Sequence, residues 1–236
     1  MIKIENADVW GFEHAIRGAR NPMNSWAKSD SEFYIDGNGN EFPAIGQNDM
    51  KLLTNLLKAS SDGNFAHRKF MRQIFVSVDI TAPLYWWKEM DQYKIGTTTD
   101  SCSTMHKIAA KEFELDDFSW EQLLNTGCDL FTEEFDKGSL ARKVQPLQLL
   151  TDFIIPSLNV CREKYLETKD KAYWWQLIQL LPSSYNQKRT WTGSYENLLT
   201  MHLQRVGHKL DEWNIFCEWI ETLPYMKEFI KAWRKD

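Results

Sequence analysis

Cysteine is scarce in this sequence, which has only Cys102, Cys128, Cys161 and Cys217 among its 236 residues. The four are widely separated and none belongs to a CxxC pair, so neither a zinc ribbon nor a disulfide framework is indicated. The five histidines do not pair at metal-ligand spacing on one helix face. The GxGxxG, GxxxxGKS/T and HExxH patterns are also absent. We therefore expect no metal site and none of the common phosphate-binding loops.

Long apolar runs are missing as well. No stretch approaches the roughly 20 residues that a membrane-spanning helix needs, and the first five residues lack the apolar centre of a signal peptide. We predict a cytoplasmic protein that does not contact a membrane. The net charge of −5 disfavours a nucleic-acid polymer as partner, because duplex binding usually shows as a basic domain. A local basic pocket for one small anion stays possible.

Aromatic residues are abundant, with 11 Trp, 13 Phe and 8 Tyr. This content suits a large aromatic core, or a pocket and interfaces lined with flat rings. It does not identify a ligand.

Hydrophobic spacing predicts a helix-rich α+β protein with a small antiparallel sheet, folded as a single domain over residues 1–236. Two short runs around residues 36–40 predict a hairpin, and a strand is predicted over residues 70–81, where residues 75–81 alternate apolar with polar. Helices are expected over residues 48–59, capped by Asn48 or Asp49, and over residues 84–92 after Pro83. Residues 96–103 are predicted to be a polar loop, and residues 107–145 an insertion.

The second half of the chain is mainly helical in pattern. Helices are predicted over residues 147–155, 156–167 and 170–181, and Pro182 ends the third. Residues 189–194 could form a short strand or a loop. Ser194 is expected to cap a helix that runs to about residue 205, with Asn197 at its third helical position. One or two closing helices are expected around Pro224.

The segment from residue 67 to residue 106 carries the most chemistry. The loop at its centre offers several hydroxyls and backbone amides, which suit a phosphate or a nucleobase edge. Lys94, just before the loop, could supply a positive charge. A solvated junction between a helix and a loop explains the same residues equally well, and this alternative stays open.

Two blocks of the chain carry a resemblance to a known family. The first has His67 before the strand, then Ala82-Pro83, a helix, residues 92–94 and Ser103. The second has Leu181-Pro182, Trp191-Thr192 and Arg205 in the same order. Together they resemble the flavin-dependent thymidylate synthases over about a third of the chain.

This resemblance implies an enzyme that binds FAD and dUMP. NADPH would reduce the flavin, and methylenetetrahydrofolate would donate the one-carbon unit. It also implies a homotetramer whose active sites lie between subunits. The implied flavin-binding residues are His67, Gln92, Tyr93 and Lys94. The implied nucleotide-binding residues are Glu89, Asp100, Ser103 and Arg205. No catalytic residue is assigned.

The family's key positions are altered in this chain. Its Arg-His-Arg triplet reads Gln92-Tyr93-Lys94, and a lysine cannot reproduce the bidentate grip of a guanidinium. A glutamine that contacts the nucleotide in the family aligns with Glu89. The family's Asn-x-Arg on a later helix aligns with Ser194 and Glu196.

Two functions remain compatible with the sequence. One is a divergent enzyme acting on dUMP or a related pyrimidine nucleotide, with anion contacts from Lys94, Lys188, Arg189 and Arg205. The other is a fold relative that has lost the chemistry and binds a nucleotide or a protein partner. Arg205 could also be a buried ion-pair partner of Glu89 or Asp100.

Overall fold

The computed structural model describes residues 1–37, 41–61, 63, 65–133 and 142–235. A 3₁₀ segment, Phe65–Gln73, precedes the fourth strand, and a π-helical segment, Leu149–Ile154, precedes the sixth helix. The helices and strands in chain order are β1 (Lys3–Trp10), α1 (Phe12–Arg20), β2 (Glu32–Ile35), β3 (Glu41–Ala44), α2 (Gln47–Ser61), β4 (Phe75–Pro83), α3 (Leu84–Met90), β5 (Thr98–Ser101), α4 (Thr104–Lys107), β6 (Phe131–Glu133), β7 (Arg142–Val144), α5 (Pro146–Gln148), α6 (Ile155–Thr168), α7 (Lys171–Gln179), β8 (Asn186–Ser194), α8 (Tyr195–Arg205), α9 (Asp211–Thr222) and α10 (Met226–Arg234).

The chain is helix-rich with a small antiparallel sheet, as the sequence predicts. The sheet has the strand order β1-β4-β8-β5. Between its central strands, Thr192 Oγ1 donates to Ser77 Oγ at 3.0 Å, and Thr190 Oγ1 donates to Asp79 Oδ1 at 2.7 Å. The partners of successive residues run in opposite directions, so β4 and β8 are antiparallel.

The chain divides into two compact units that interleave along the sequence. The first unit comprises Met1–Ile2, Thr81–Lys88 and Ser101–Lys188, and the second comprises Lys3–Ile80, Glu89–Asp100 and Arg189–Asp236. The single domain over residues 1–236 stays a prediction. The expected insertion at residues 107–145 belongs to the first unit, but its residues 134–141 lie outside the described part of the chain.

The second unit is built around aromatic side chains from several helices. Tyr195 at the start of α8 contacts Phe12 and Phe229 edge-to-face, with ring centroids 5.5 and 6.4 Å apart. Phe70 packs on Phe229 at 5.7 Å. Burial raises the pKa of Tyr195, whose hydroxyl donates to the Pro224 carbonyl at 3.0 Å. The 3₁₀ segment and α8 are therefore both anchored in this core, through Phe70 and Tyr195.

The first unit has its own apolar core. Phe118, Leu158 and Leu177 are among its fully buried members. Trp87 is also fully buried, and its indole donates to the carbonyl of Gln187 at 2.9 Å. The core therefore fixes the end of the segment that leads into β8.

Most local predictions are confirmed. The hairpin forms between β2 and β3, with Tyr34 opposite Phe42, although residues 38–40 of its tip lie outside the described residues. The helices predicted over 48–59 and 84–92 are α2 and α3. Two closing helices, α9 and α10, flank Pro224.

The helix predicted over residues 156–167 is α6, with Pro156 in its first turn. Three local predictions are wrong. Residues 70–73 are 3₁₀, and the strand begins at Phe75, because Phe70 and Met71 are buried against neighbouring helices. Residues 98–101 of the predicted loop form an edge strand beside β8. The α2 start is capped by Asp30, whose carboxylate accepts from the Asn48 and Asp49 amides.

Among the described residues, no helix combines the length and the hydropathy that crossing a membrane requires.

Candidate ligand-binding cleft

A cleft of about 770 Å³ lies within the second unit. Three segments form its walls: the 3₁₀ segment, the loop that follows α3, and the first turns of α8. The volume lies in the range that is typical of small-molecule and cofactor sites.

The 3₁₀ segment contributes two arginines and an aromatic ring. Residues three apart align on a 3₁₀ helix, so Phe65 and Arg68 share one face. The Arg68 guanidinium contacts two rings, 4.7 Å from the centroid of Phe65 and 4.9 Å from that of Trp233. Arg72 lies further along the segment, and its side chain is 55% exposed. One arginine is therefore held by rings and the other projects into solvent.

The loop after α3 contributes Gln92, Tyr93 and Lys94. Gly96 has a φ of +72°, a conformation that side chains with a Cβ rarely adopt, and this lets the chain turn back toward β5. Asn197 on α8 holds the loop, because its Nδ2 donates to the Ile95 carbonyl at 2.9 Å. The three cleft residues are thus tied to the helix opposite them.

The start of α8 is fixed by the cap that the sequence predicts. Ser194 is the N-cap, and its hydroxyl accepts from the Asn197 amide while Asn197 Oδ1 accepts from the Ser194 amide at 3.0 Å. This reciprocal arrangement satisfies two amides that the helix leaves open. It places Glu196 in the first turn, where the positive end of the helix dipole favours a carboxylate.

Glu196 binds both arginines of the opposite wall. Arg68 Nε donates to Glu196 Oε1 at 2.7 Å, and Arg72 donates to the same carboxylate through Nε and Nη2. Burial alone would raise the pKa of Glu196, but the hydrogen bonds from Arg72 and Arg68 outweigh it and hold the pKa below its usual value. The same bond raises the pKa of Arg72. Glu196 and Arg72 are therefore both charged at neutral pH.

The cleft is positive overall. Arg68, Arg72 and Lys94 face the single carboxylate of Glu196 among the lining residues, a net formal charge of +2. In the described part of the chain, Lys94 forms no ion pair. The rings of Phe65, Phe75 and Tyr93 supply apolar surface. A cleft with these groups suits a flat aromatic ligand that carries phosphate.

A second cluster surrounds Arg205 at the end of α8. Arg205 Nη1 donates to Glu89 Oε2 at 2.7 Å, and its Nε donates to the Tyr93 hydroxyl at 2.8 Å. The guanidinium lies 4.8 Å from the Trp213 ring centroid, and the Trp213 indole also donates to Glu89 Oε2 at 3.0 Å. His208 lies 3.3 Å from Arg205 Nη1. The Glu89 ion pair is one of the alternatives that the sequence left open.

The structure brings some of the predicted site residues together and not others. Gln92, Tyr93 and Lys94 line the cleft, and Tyr93 also connects it to Glu89 and Arg205 through its hydroxyl. His67 is exposed on the 3₁₀ segment and Asp100 is exposed on β5; neither lines the cleft.

The other predicted contacts have local partners. Ser103 belongs to the first unit, where it caps α4 by accepting from the His106 amide at 3.2 Å. Arg189 donates to Asp91 at 2.7 Å.

Sequence reasoning missed Arg68 and Arg72 as site residues. The signal is present in the order of charges, since two arginines four residues apart precede the strand and a lone glutamate follows the Ser194 cap. Their pairing spans 124 to 128 residues, a distance at which local patterns carry no information. In the described residues, no group of three or more His, Cys, Asp or Glu side chains is placed to hold a metal ion.

The fold belongs to the class seen in thymidylate synthase X, and the chain is a relative of that enzyme in fold. A crystal structure of thymidylate synthase X from Helicobacter pylori with FAD and dUMP matches with a TM-score of 0.62 and 14% identity, over 99% of this chain and all of that one. A second structure of the Helicobacter pylori enzyme with the same ligands gives 0.60 and 14%, over 97% and 96% of the two chains.

A third solved structure broadens the comparison. The UMP/dUMP methylase PolB from Streptomyces cacaoi, bound with 5-Br dUMP, matches with a TM-score of 0.56 and 13% identity, over all of this chain and 93% of that one. No protein-family profile and no curated protein matches the sequence. Likeness at this identity establishes the fold.

Proposed function

We propose that this chain is a divergent thymidylate synthase X-like protein that binds FAD in the cleft and acts on dUMP or a related pyrimidine nucleotide. The reaction is reductive methylation with a folate one-carbon donor. One observation carries the proposal: the cleft joins Gln92-Tyr93-Lys94 to Ser194 and Glu196. These are the positions that align with the family's Arg-His-Arg and Asn-x-Arg motifs.

The groups in the cleft fit FAD. The pyrophosphate of FAD carries two negative charges, which match the net charge of +2 on the lining side chains. Phe65, Phe75 and Tyr93 offer surface for its rings, and Gln92 offers an amide group for hydrogen bonds. When bound, the flavin supplies the redox chemistry, and the protein positions it and tunes its surroundings.

The charge in this site has a different source from the one the family motif implies. Lys94 keeps one positive charge of the Arg-His-Arg triplet, and Glu196 reverses the charge of the Asn-x-Arg arginine. Arg68 and Arg72 replace the lost charges from the opposite wall. The cleft thus has three cationic side chains, as the three motif arginines would supply, but Glu196 lowers its net formal charge to +2.

A second candidate function is nucleotide binding without the reaction. The observation that favours it is the Arg205 cluster. There the Arg205 guanidinium donates to Glu89 at 2.7 Å and to the Tyr93 hydroxyl at 2.8 Å. A nucleotide contact by Arg205 has to compete with this ion pair. Release of a charge-assisted hydrogen bond costs about 1.5–3 kcal/mol.

The visible absorption spectrum of the purified protein, taken before and after addition of FAD, tests the proposal. We expect a flavin spectrum and release of FAD by acid, followed by NADPH-dependent methylation of dUMP or UMP. Bound flavin with no methylation of any pyrimidine nucleotide supports the second candidate. A colourless protein that takes up no FAD contradicts the first. The homotetramer and the cytoplasmic location stay predictions.

A further inference from the structure

We propose that Arg68, Glu196 and Arg72 form a phosphate clamp, in which Glu196 is an internal counterion that a ligand phosphate displaces from Arg72. The clamp deepens the proposed function and rests on it in one respect, namely that the ligand of the cleft carries phosphate. It assigns the phosphate to residues on the 3₁₀ segment and α8.

Arg68 is the fixed half of the clamp. Its side chain is 12% exposed, and its guanidinium lies beside the rings of Phe65 and Trp233, which stack on each other with centroids 6.3 Å apart. Guanidinium groups stack favourably on aromatic faces. Arg68 therefore keeps its place in the cleft wall when its bond to Glu196 is lost.

Arg72 is the movable half. Its side chain is 55% exposed, and among the described residues its only ion-pair partner is Glu196. It uses Nε and Nη2 on that carboxylate, and in the described part of the chain the hydrogens of Nη1 have no partner. Because the Arg72 side chain is largely in solvent, its ion pair with Glu196 costs little to break.

The Glu196 carboxylate occupies the place that a ligand phosphate would take between the two arginines. Two guanidinium groups so close together repel each other, and one carboxylate between them removes that repulsion. Carboxylate and phosphate match the guanidinium fork in the same bidentate manner. A phosphate that enters beside Lys94 offers Arg72 a more highly charged partner than Glu196 does, and the two anions repel each other.

Two variants that break the same ion pair separate this role from a structural one. Arg72→Gln and Glu196→Gln both abolish the Arg72–Glu196 ion pair, so a merely structural pair would respond alike to both. The clamp predicts opposite responses. Arg72→Gln removes a phosphate donor, whereas Glu196→Gln removes the competing negative charge.

The probe is inorganic pyrophosphate, titrated calorimetrically into the full-length protein at fixed ionic strength. We expect Arg72→Gln to weaken binding about tenfold or more and Glu196→Gln to tighten it several-fold. Arg234→Gln, an exposed arginine on α10, is the matched control and should leave affinity within about twofold. Equal responses of the two variants, or no pyrophosphate binding by the wild type and by Glu196→Gln, overturn the clamp.

Parallel titrations with FAD and with riboflavin, which has no phosphate, keep the two proposals separate. If no flavin binds but pyrophosphate shows the opposite responses, the clamp stands and the flavin proposal fails. If FAD binds equally well to the wild type and to Arg72→Gln, the flavin proposal stands and the clamp fails. Circular dichroism of each variant confirms that it is folded.

Discussion

In the second unit, the Arg20–Asp49 cluster and the Glu196 cluster both join arginine to a carboxylate, and they differ in almost every other respect. Arg20 and Asp49 are 5% and 0% exposed, and their atoms lie 2.6 Å apart. Asp49 also accepts from the hydroxyls of Ser29 and Ser31, each at 2.7 Å. In the cleft, Arg72 and Glu196 stand at the surface, with side chains that are 55% and 14% exposed.

The two clusters differ in how many of their hydrogen-bond donors already have partners within the chain. Arg20 also donates to the carbonyls of Ser25 and Lys28, at 3.2 and 3.0 Å. Each of its three guanidinium nitrogens therefore has a partner that is a fixed part of the chain, although Arg20, Ser29 and Ser31 also line a smaller cavity of about 310 Å³. The Glu196 cluster has donors to spare and opens on a cleft. The same pair of residue types therefore holds the fold in one place and offers a binding site in the other.

The largest expected effect comes from breaking the closed cluster of Arg20 and Asp49. Asp49→Asn should lower the free energy of unfolding by about 3–5 kcal/mol, because it leaves the buried Arg20 guanidinium without its counterion. Urea denaturation measures it. Glu196→Gln, the matched change in the open cluster, should cost less, about 1–2 kcal/mol, because Arg68 keeps its contacts with two rings and Arg72 is largely in solvent. Equal losses in the two variants would contradict the distinction.

Breaking the Arg205 cluster is expected to lower the free energy of unfolding by an intermediate amount. Arg205 is 17% exposed and Glu89 30% exposed, so Arg205→Met should cost about 1–2 kcal/mol through loss of the Glu89 bond and of the contact with the Trp213 ring. Urea denaturation is again the measurement. The same variant should bind dUMP more weakly if Arg205 contacts the nucleotide. Unchanged dUMP affinity would rule out that nucleotide role.

The closed cluster should make the free energy of unfolding depend on pH in the acid range, because the pKa of Asp49 differs between the folded and unfolded states. Burial would raise this pKa, but the hydrogen bonds from Ser31, Ser29 and Arg20 hold it below its usual value. The folded state therefore binds the Asp49 proton less readily than the unfolded chain. Its stabilising contribution is complete above the unfolded pKa of about 4 and is lost as pH falls through the lowered folded value.

The acid dependence is measured as the free energy of unfolding between about pH 6 and pH 2. Each proton taken up on unfolding adds a slope of about 1.4 kcal/mol per pH unit. Asp49→Asn should remove part of that slope. A wild-type profile that is flat through this range, or one that the variant leaves unchanged, would argue that Asp49 is not held ionised by its partners.

The smallest effect on stability is expected for Arg72→Gln. The free energy of unfolding should change by less than about 0.5 kcal/mol, because the ion pair is exposed and Arg68 keeps Glu196 in place. The same variant is expected to lose pyrophosphate affinity. A loss of stability comparable to that of Asp49→Asn would make Arg72 part of the scaffold.

Features that depend on neighbouring residues could be predicted from the sequence. The β2–β3 hairpin and the Ser194 cap with Asn197 follow from turn residues and from side chains three positions apart. The strand at residues 98–101 could not be predicted, because it forms only against β8. The capping of α2 by Asp30 likewise depends on a residue outside the helix pattern.

Only those residues of the cleft that are neighbours in sequence could be predicted. Gln92, Tyr93 and Lys94 lie together in sequence and line the cleft together. Arg68 and Arg72 meet Glu196 only after folding, and the sequence showed Glu196 merely as a departure from the family motif. The ion pair of Arg205 with Glu89 was one of two alternatives, and only the packing of α8 decides between them.

A crystal structure of the protein grown with FAD would show whether the cleft binds the flavin and its phosphates. We expect the flavin in the cleft, with its pyrophosphate within hydrogen-bond distance of Arg72 and Lys94 and with Arg72 released from Glu196. FAD bound elsewhere, or FAD in the cleft with Arg72 still on Glu196 and no phosphate beside it, would contradict the account.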